Sequence, residues 1–275
     1  MVSHQKIGLS LRQAFDIHQG EVISLVGGGG KTTLMFALAH ELEAGGEKVV
    51  STTTTRIFEP SVSETFLIVE PDESRIPERV FAELKTHRHI TLASFKLPGG
   101  KLKGISPEMV DRLAELIISP YVIVEADGSA RKPLKAPNAT EPVTPPSTTL
   151  VIPIVGVDAL GCRLTQENVF RPETISELTG LPLGGIITAD TIATLITHPR
   201  GIIKESPIHA RIVPLINKTD LAQDPSAVEE LADMILGKGH LQIKRVVLGH
   251  VGMGTGDWGI GIKDAKLRGE GRGNA

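Results

Sequence analysis

The chain has 275 residues, with 29 Lys and Arg against 32 Asp and Glu, and a formal net charge of -3. That balance excludes a chain-wide basic footprint for nucleic acid, and the single cysteine, Cys162, excludes a disulfide framework or a cysteine-only metal site. No stretch approaches the roughly 18 continuous apolar residues of a membrane span, and no charged-then-apolar signal segment opens the chain, so a cytoplasmic protein is expected.

Glu21 to Val26 is a short apolar run that predicts a strand. Gly27 to Gly30 follow, and then a helix with Leu34, Leu38 and Leu42 on one stripe, closed by Gly45 and Gly46. Glu47 to Thr55 reads as a strand ending in hydroxyls. Strand signals recur at 66–69, 89–94, 121–129, 149–156, 211–220 and 245–252. Helical patterns lie at 76–85, 107–118, 172–179, 189–197 and 225–236, with Ser106 and Pro107 as N-cap and first helical residue of the second. Residues 131 to 153 hold six prolines, which forbid a long helix and suggest an ordered, extended crossover. The order predicts an α/β P-loop NTPase: a three-layer α/β/α fold with a mostly parallel sheet. It is expected as one domain over 1–260, with a Pro-rich insertion at about 129–148 and a flexible tail over 261–275. The polar strand ends are then expected on one side, where ligands of open parallel sheets sit.

The glycine loop carries the strongest chemistry. Backbone N–H groups of Gly27, Gly28, Gly29 and Gly30 can converge on phosphate oxygens, and the following helix adds its positive end. Lys31 would reach the β and γ phosphates, Thr32 would offer a hydroxyl to Mg²⁺, and Thr33 completes the motif. A Walker loop asks for glycine at the position of Leu25. The loop resembles instead the variant of SIMIBI-class NTPases, whose extra lysine is replaced here by Val26.

Glu125 and Asp127 stand beyond the apolar run of 121–124, where a carboxylate holds Mg²⁺ opposite the loop threonine. Strand alternation puts both on one side, and the spacing does not choose between them. Asn217, Lys218 and Asp220 match the Asn-Lys-x-Asp element that reads guanine, whose N1 and N2 donors suit a carboxylate; adenine offers no such pair, and ATP is the competing ligand. Thr54 and Thr55 could sit near the γ-phosphate and touch Mg²⁺ or the attacking water. Arg131, with Lys132 and Lys135, forms a basic cluster able to receive an anionic substrate or a partner's carboxylates. The nine histidines show no zinc-ligand spacing, so no structural zinc is expected.

The stretches GGGGKTTLMFALAHEL, STTTTRIF, YVIVEADGSARKPLKAPNATEPVTP, IPIVGVDALG, FRPE and RIVPLINKTD together make the chain resemble the YqeC family, from about Gly20 to Val251. The resemblance implies an accessory role for selenium-dependent molybdenum hydroxylases, in selenium or molybdenum cofactor maturation. It maps the nucleotide loop to Gly27–Thr33 and the acidic motif to Glu125–Ser129. The basic segment maps to Arg131 and Lys135, and the late motif to Asn217–Asp220. Some relatives add a nucleotidyltransferase domain, for which no room is left after Asp220. The expected function is a Mg²⁺-dependent NTPase, a GTPase preferring GTP over ATP, with a molybdenum hydroxylase or its maturation proteins as partner and no nucleic acid or membrane. The alternatives are a P-loop kinase acting on a small anionic acceptor, and a non-enzymatic nucleotide-gated carrier or scaffold.

Overall fold

The computed structural model describes residues 8–116, 119–252 and 259–265. In chain order its strands are β1 (Val22–Gly27), β2 (Val49–Thr53), β3 (Arg56–Phe58), β4 (Phe66–Val69), β5 (His89–Ala93), β6 (Phe95–Leu97) and β7 (Lys101–Lys103). They continue as β8 (Tyr121–Glu125), β9 (Leu150–Gly156), β10 (Arg211–Ile212), β11 (Leu215–Asn217), β12 (Arg245–Leu248) and β13 (Gly261–Asp264). The helices are α1 (Leu11–Ala14), α2 (Lys31–Ala44), α3 (Ile76–Glu83), α4 (Pro107–Ala114), α5 (Pro172–Thr179), α6 (Ala189–Thr197) and α7 (Pro225–Gly237).

Ten strands form one sheet in the order β13-β12-β11-β9-β1-β8-β2-β5-β4, with β10 also on β9. Its pairings are parallel apart from β13, which runs antiparallel to β12. Alternation along each strand sends side chains to opposite faces. Ile23, Leu25, Ile123, Ile152 and Ile154 face α1 and α2 in one cluster. Val22, Val122 and Val124 face α3 and α4, while Val26, Val151 and Val155 face α5, α6 and α7. The result is a three-layer α/β/α fold with a largely parallel sheet.

Local chemistry explains the element ends. Ser106 Oγ accepts from Met109 N at 3.1 Å and Pro107 opens α4. Asp224 caps α7 in the same way ahead of Pro225. Pro153 sits inside a central strand, which its missing N–H would ordinarily forbid. The pairings Ile212–Val151 and Leu215–Ile154 put it opposite Pro214, where the neighbouring edge breaks into β10 and β11.

Three differences from the sequence reading have physical reasons. α2 is buried on more than one stripe, since Met35, Phe36 and Ala39 are covered along with Leu34, Leu38 and Leu42; an all-round apolar helix is a buried one. β3, β7 and β6 make a separate antiparallel sheet from stretches where no strand was expected. Their three-residue strands, such as Lys101–Lys103, are too short and too charged for a hydrophobic pattern. Gly261–Asp264, expected within the tail, pairs with β12 as β13. Residues 266–275 of that expected tail, and 117–118 of the helix expected over 107–118, lie outside the described residues. Among the described residues, no helix is long and apolar enough to cross a membrane.

Candidate functional site

Parallel pairing brings the ends of β1, β8, β2, β9 and β11 to one edge of the sheet. β1 leaves that edge through the glycine loop into α2. Gly27, Gly29 and Gly30 have φ of 92°, 83° and 126°, a region that side chains beyond glycine seldom adopt. Space is also lacking. A Cβ on Gly29 would lie 2.3 Å from Gly156 N, and one on Gly30 would lie 2.5 Å from Asn217 Nδ2. The loop is held from three sides. Gly28 N donates to Ile154 O at 2.9 Å, Gly29 N to Lys132 O at 3.0 Å, and Gly27 N to Asp127 Oδ2 at 3.1 Å.

These bonds divide the loop's donors. The amides of Gly27, Gly28 and Gly29 point into the protein. Those of Lys31, Thr32 and Thr33 open α2, where no intrahelical carbonyl can reach them. Gly30 supplies no side-chain cap, and these amides have no acceptor among the described residues. Three adjacent donors at the positive end of a 14-residue helix suit an anion.

The charged side chains beneath the loop form an alternating chain. Lys31 Nζ donates to Gly27 O at 2.7 Å and lies 3.1 Å from Asp127 Oδ1 and 3.8 Å from Glu125 Oε1. Lys135 Nζ lies 2.8 Å from Asp127 Oδ2 and 3.0 Å from Glu141 Oε2. Arg171 Nη1 closes the chain on Glu141 at 2.8 Å. Lys31, Asp127 and Lys135 are 3%, 1% and 1% exposed. Charges so buried are costly unless they face partners of opposite sign. Glu141 is half-buried; burial alone would raise its carboxyl, but Lys135 and Arg171 hold it below the ordinary carboxylate value.

Glu125 differs from Asp127. Thr32 Oγ1 donates to its Oε2 at 2.7 Å. Burial pushes the Glu125 carboxyl above the usual carboxylate range, against the Lys31 ammonium and the Thr32 hydroxyl, which pull it down. So the two acids of one strand end have separate surroundings: Asp127 is shared by two lysines and an amide, and Glu125 faces a hydroxyl.

The other residues singled out from sequence are distributed around this centre. Asn217 is buried; its Nδ2 donates to Gly29 O at 2.8 Å and its Oδ1 accepts from Val251 N at 2.9 Å, so it braces the loop. Lys218, at φ 62°, pairs with Asp158 at 2.7 Å. Asp220 is exposed on the 3-10 turn Thr219–Leu221. Thr54 Oγ1 donates to Val143 O at 2.7 Å, and the hydroxyls of Thr55 and Thr53 are 3.2 Å apart. These bonds tie both threonines to the rim of the site. The basic cluster divides. Lys135 belongs to the buried chain of charges, while the Arg131 guanidinium lies over the Phe58 ring at 4.6 Å and Lys132 Nζ donates to Glu167 O.

The Pro-rich crossover is an ordered strap over this edge. Besides Lys132 O and Lys135 it supplies Pro133 O to Gly156 N at 2.9 Å and the Val143 amide to Ala126 O at 2.9 Å. Glu141 and Arg171 were not foreseen as site residues. The only signs of them were the Glu-Pro pair at 141–142 within the stretch at 121–145 and the Phe-Arg-Pro-Glu stretch at 170–173.

A model of the YqeC protein family matches residues 23–173, which span the glycine loop, β8, the strap and Arg171. The chain is 36% identical over 210 residues to the Escherichia coli (strain K12) "Uncharacterized protein YqeC", covering 76% of this chain and 80% of that one. No solved structure matches. The loop, the two carboxylates and the strap that carries Lys135 and Glu141 all fall within the matched region, and the chain belongs to the YqeC family.

Proposed function

We propose that this protein binds a nucleoside triphosphate with Mg²⁺ at the glycine loop, GTP ahead of ATP, and hydrolyses it while assisting maturation of a selenium- or molybdenum-cofactor-dependent hydroxylase. The hydroxylase link rests on the family resemblance. In this reading the glycine loop is a P-loop of SIMIBI type, departing from it at Leu25 and Val26. The observation that carries the nucleotide reading is the Thr32–Glu125 pair at 2.7 Å, beside Lys31 and below the open amides of α2.

A hydroxyl and a carboxylate side by side are hard oxygen donors and fit Mg²⁺. Thr32 and Glu125 would hold the ion, which supplies neutralisation of phosphate charge when bound. Asp127 Oδ2 is already taken by Lys135 and Gly27 N, while its buried Oδ1 lies 3.1 Å from Lys31 Nζ without a hydrogen bond and could join the ion as a further oxygen donor. Its work is to fix Lys31 under the loop. The first-turn amides of α2 bind the phosphate oxygens, and Lys31 supplies the balancing charge as negative charge shifts during transfer.

The test uses fluorescent GTP and ATP with and without Mg²⁺, together with phosphate release. Glu125→Gln is expected to keep Mg²⁺-free nucleotide binding within about threefold while turnover falls by about 100-fold or more. A parent protein that binds neither nucleotide, or a Glu125→Gln variant with full turnover, overturns the reading.

Base preference has a separate test. Asp220 is exposed, and no hydrogen bond or ion pair occupies it among the described residues. Asp220→Asn is expected to weaken GTP by roughly 1–3 kcal/mol and to improve XTP, because xanthine presents an acceptor where guanine presents its amino group. Competition among GTP, ATP and XTP reads this out. A parent that prefers ATP removes the guanine assignment and leaves Asn217 as a structural brace.

A further inference from the structure

A second cluster of chemistry-bearing side chains lies away from the glycine loop. His40 and Glu43 share a face of α2 as residues i and i+3, and His89 opens β5. One ligand atom from each of the three lies within 4.8 Å of the others. The two rings meet edge-on, with centroids 5.7 Å apart.

Their hydrogen bonds show which nitrogens are engaged. His40 Nε2 lies 2.8 Å from Glu64 O. A carbonyl only accepts, so Nε2 carries the proton and His40 Nδ1 keeps a lone pair. His89 Nε2 is paired with Ser51 Oγ at 2.7 Å. His89 Nδ1 is buried with no hydrogen-bond partner, on a residue 3% exposed. A buried polar atom without a partner is costly, and a cation would satisfy it.

We propose that His40, Glu43 and His89 form a site for a first-row transition-metal cation, with zinc the best fit to the donor set. Two imidazoles and a carboxylate leave a fourth position for water, the arrangement of open zinc sites. Mg²⁺ and Ca²⁺ prefer all-oxygen surroundings and are disfavoured. Ligand atoms around zinc, with bonds of about 2.0–2.1 Å, stand about 3.4 Å apart. Closure therefore needs a shift of about 1 Å, within the rotamer freedom of half-buried Glu43. Glu64 O and Ser51 Oγ hold the outer ring nitrogens, as supporting partners do in metal sites. The bound ion ties the C-terminal half of α2 to β5. His40 lies about 13.5 Å along the helix from Lys31, at 1.5 Å per residue, so this site stands independently of the nucleotide reading.

The experiment uses the full-length protein stripped with a chelator, titrated with Co²⁺ as an absorbing probe and then with Zn²⁺, without nucleotide. The parent is expected to bind one equivalent of Zn²⁺ at this site, with visible Co²⁺ bands that Zn²⁺ abolishes. His40→Gln and Glu43→Gln should each weaken Zn²⁺ by about 100-fold or more, and Ser51→Ala by about 10-fold or more. Exposed His209→Gln should change nothing. Zinc should raise the Tm of the parent and leave that of His40→Gln unmoved. Melting in chelator establishes that the variants are folded, and His89 is left intact because it is buried. Binding by the parent no tighter than by folded His40→Gln, or tight binding that survives in both ligand variants, overturns the proposal.

Discussion

Asp127→Asn lowers stability by about 3 kcal/mol, the lower end of the range for breaking a buried ion pair. The carboxylate stands between two lysines, 3.1 Å from Lys31 and 2.8 Å from Lys135, and all three side chains are nearly inaccessible to water. An amide keeps the volume and can still accept from Gly27 N, but it removes the negative charge. Lys135 retains Glu141 at 3.0 Å and Gly128 O at 2.7 Å. Lys31 is left with the Gly27 carbonyl and a carboxyl 3.8 Å away whose own ionisation is opposed by burial. That remaining support is why the loss is placed at the low end. Urea unfolding of parent and variant measures it. A loss below about 1 kcal/mol would mean that Lys31 does not depend on the Asp127 charge, against the arrangement described here.

Lys31→Ala behaves in the opposite way. It removes one of two cations from the same carboxylate, and Asp127 keeps Lys135 and the Gly27 amide. The stability loss is expected at only about 1–2 kcal/mol, within the ordinary range for point mutants. Triphosphate affinity or turnover is expected to fall by about 100-fold or more, because a fixed charge at the α2 N-terminus is lost. The pair of variants thus separates the fold from the proposed function: Asp127→Asn is expected to act first on stability, and Lys31→Ala first on the proposed triphosphate binding. Calorimetric nucleotide binding with phosphate release decides the second. Equal affinity and equal turnover in Lys31→Ala and parent would remove Lys31 from the site.

Most of the fold's elements were legible because their signals are local. Pro107, Pro172 and Pro225 mark helix starts at the first helical position. The apolar runs of β1, β8 and β9 are buried throughout, as parallel strands covered on both faces must be. The mini-sheet of β3, β6 and β7 was not legible, because its strands gain their stability from pairing and not from their own composition. The glycine loop was legible as a loop. Its division into inward and outward amides was not, because the acceptors Ile154 O and Lys132 O come from distant segments.

By itself the sequence determined the α/β alternation, the glycine loop opening α2, and the placing of Glu125 and Asp127 together at a strand end, since each depends on spacing within a few residues. Only the tertiary structure decided which partner each charge takes. The sheet order sets β8 and β9 on either side of β1, and the strap then delivers Lys135 and Glu141 to Asp127. The same order separates Lys135 from Arg131, turns Asn217 into a brace on Gly29, and brings His89 of β5 against His40 and Glu43 of α2. The physical reason is that pairing energy between buried polar groups depends on distance and desolvation. Neither quantity exists until segments far apart in the chain have packed together.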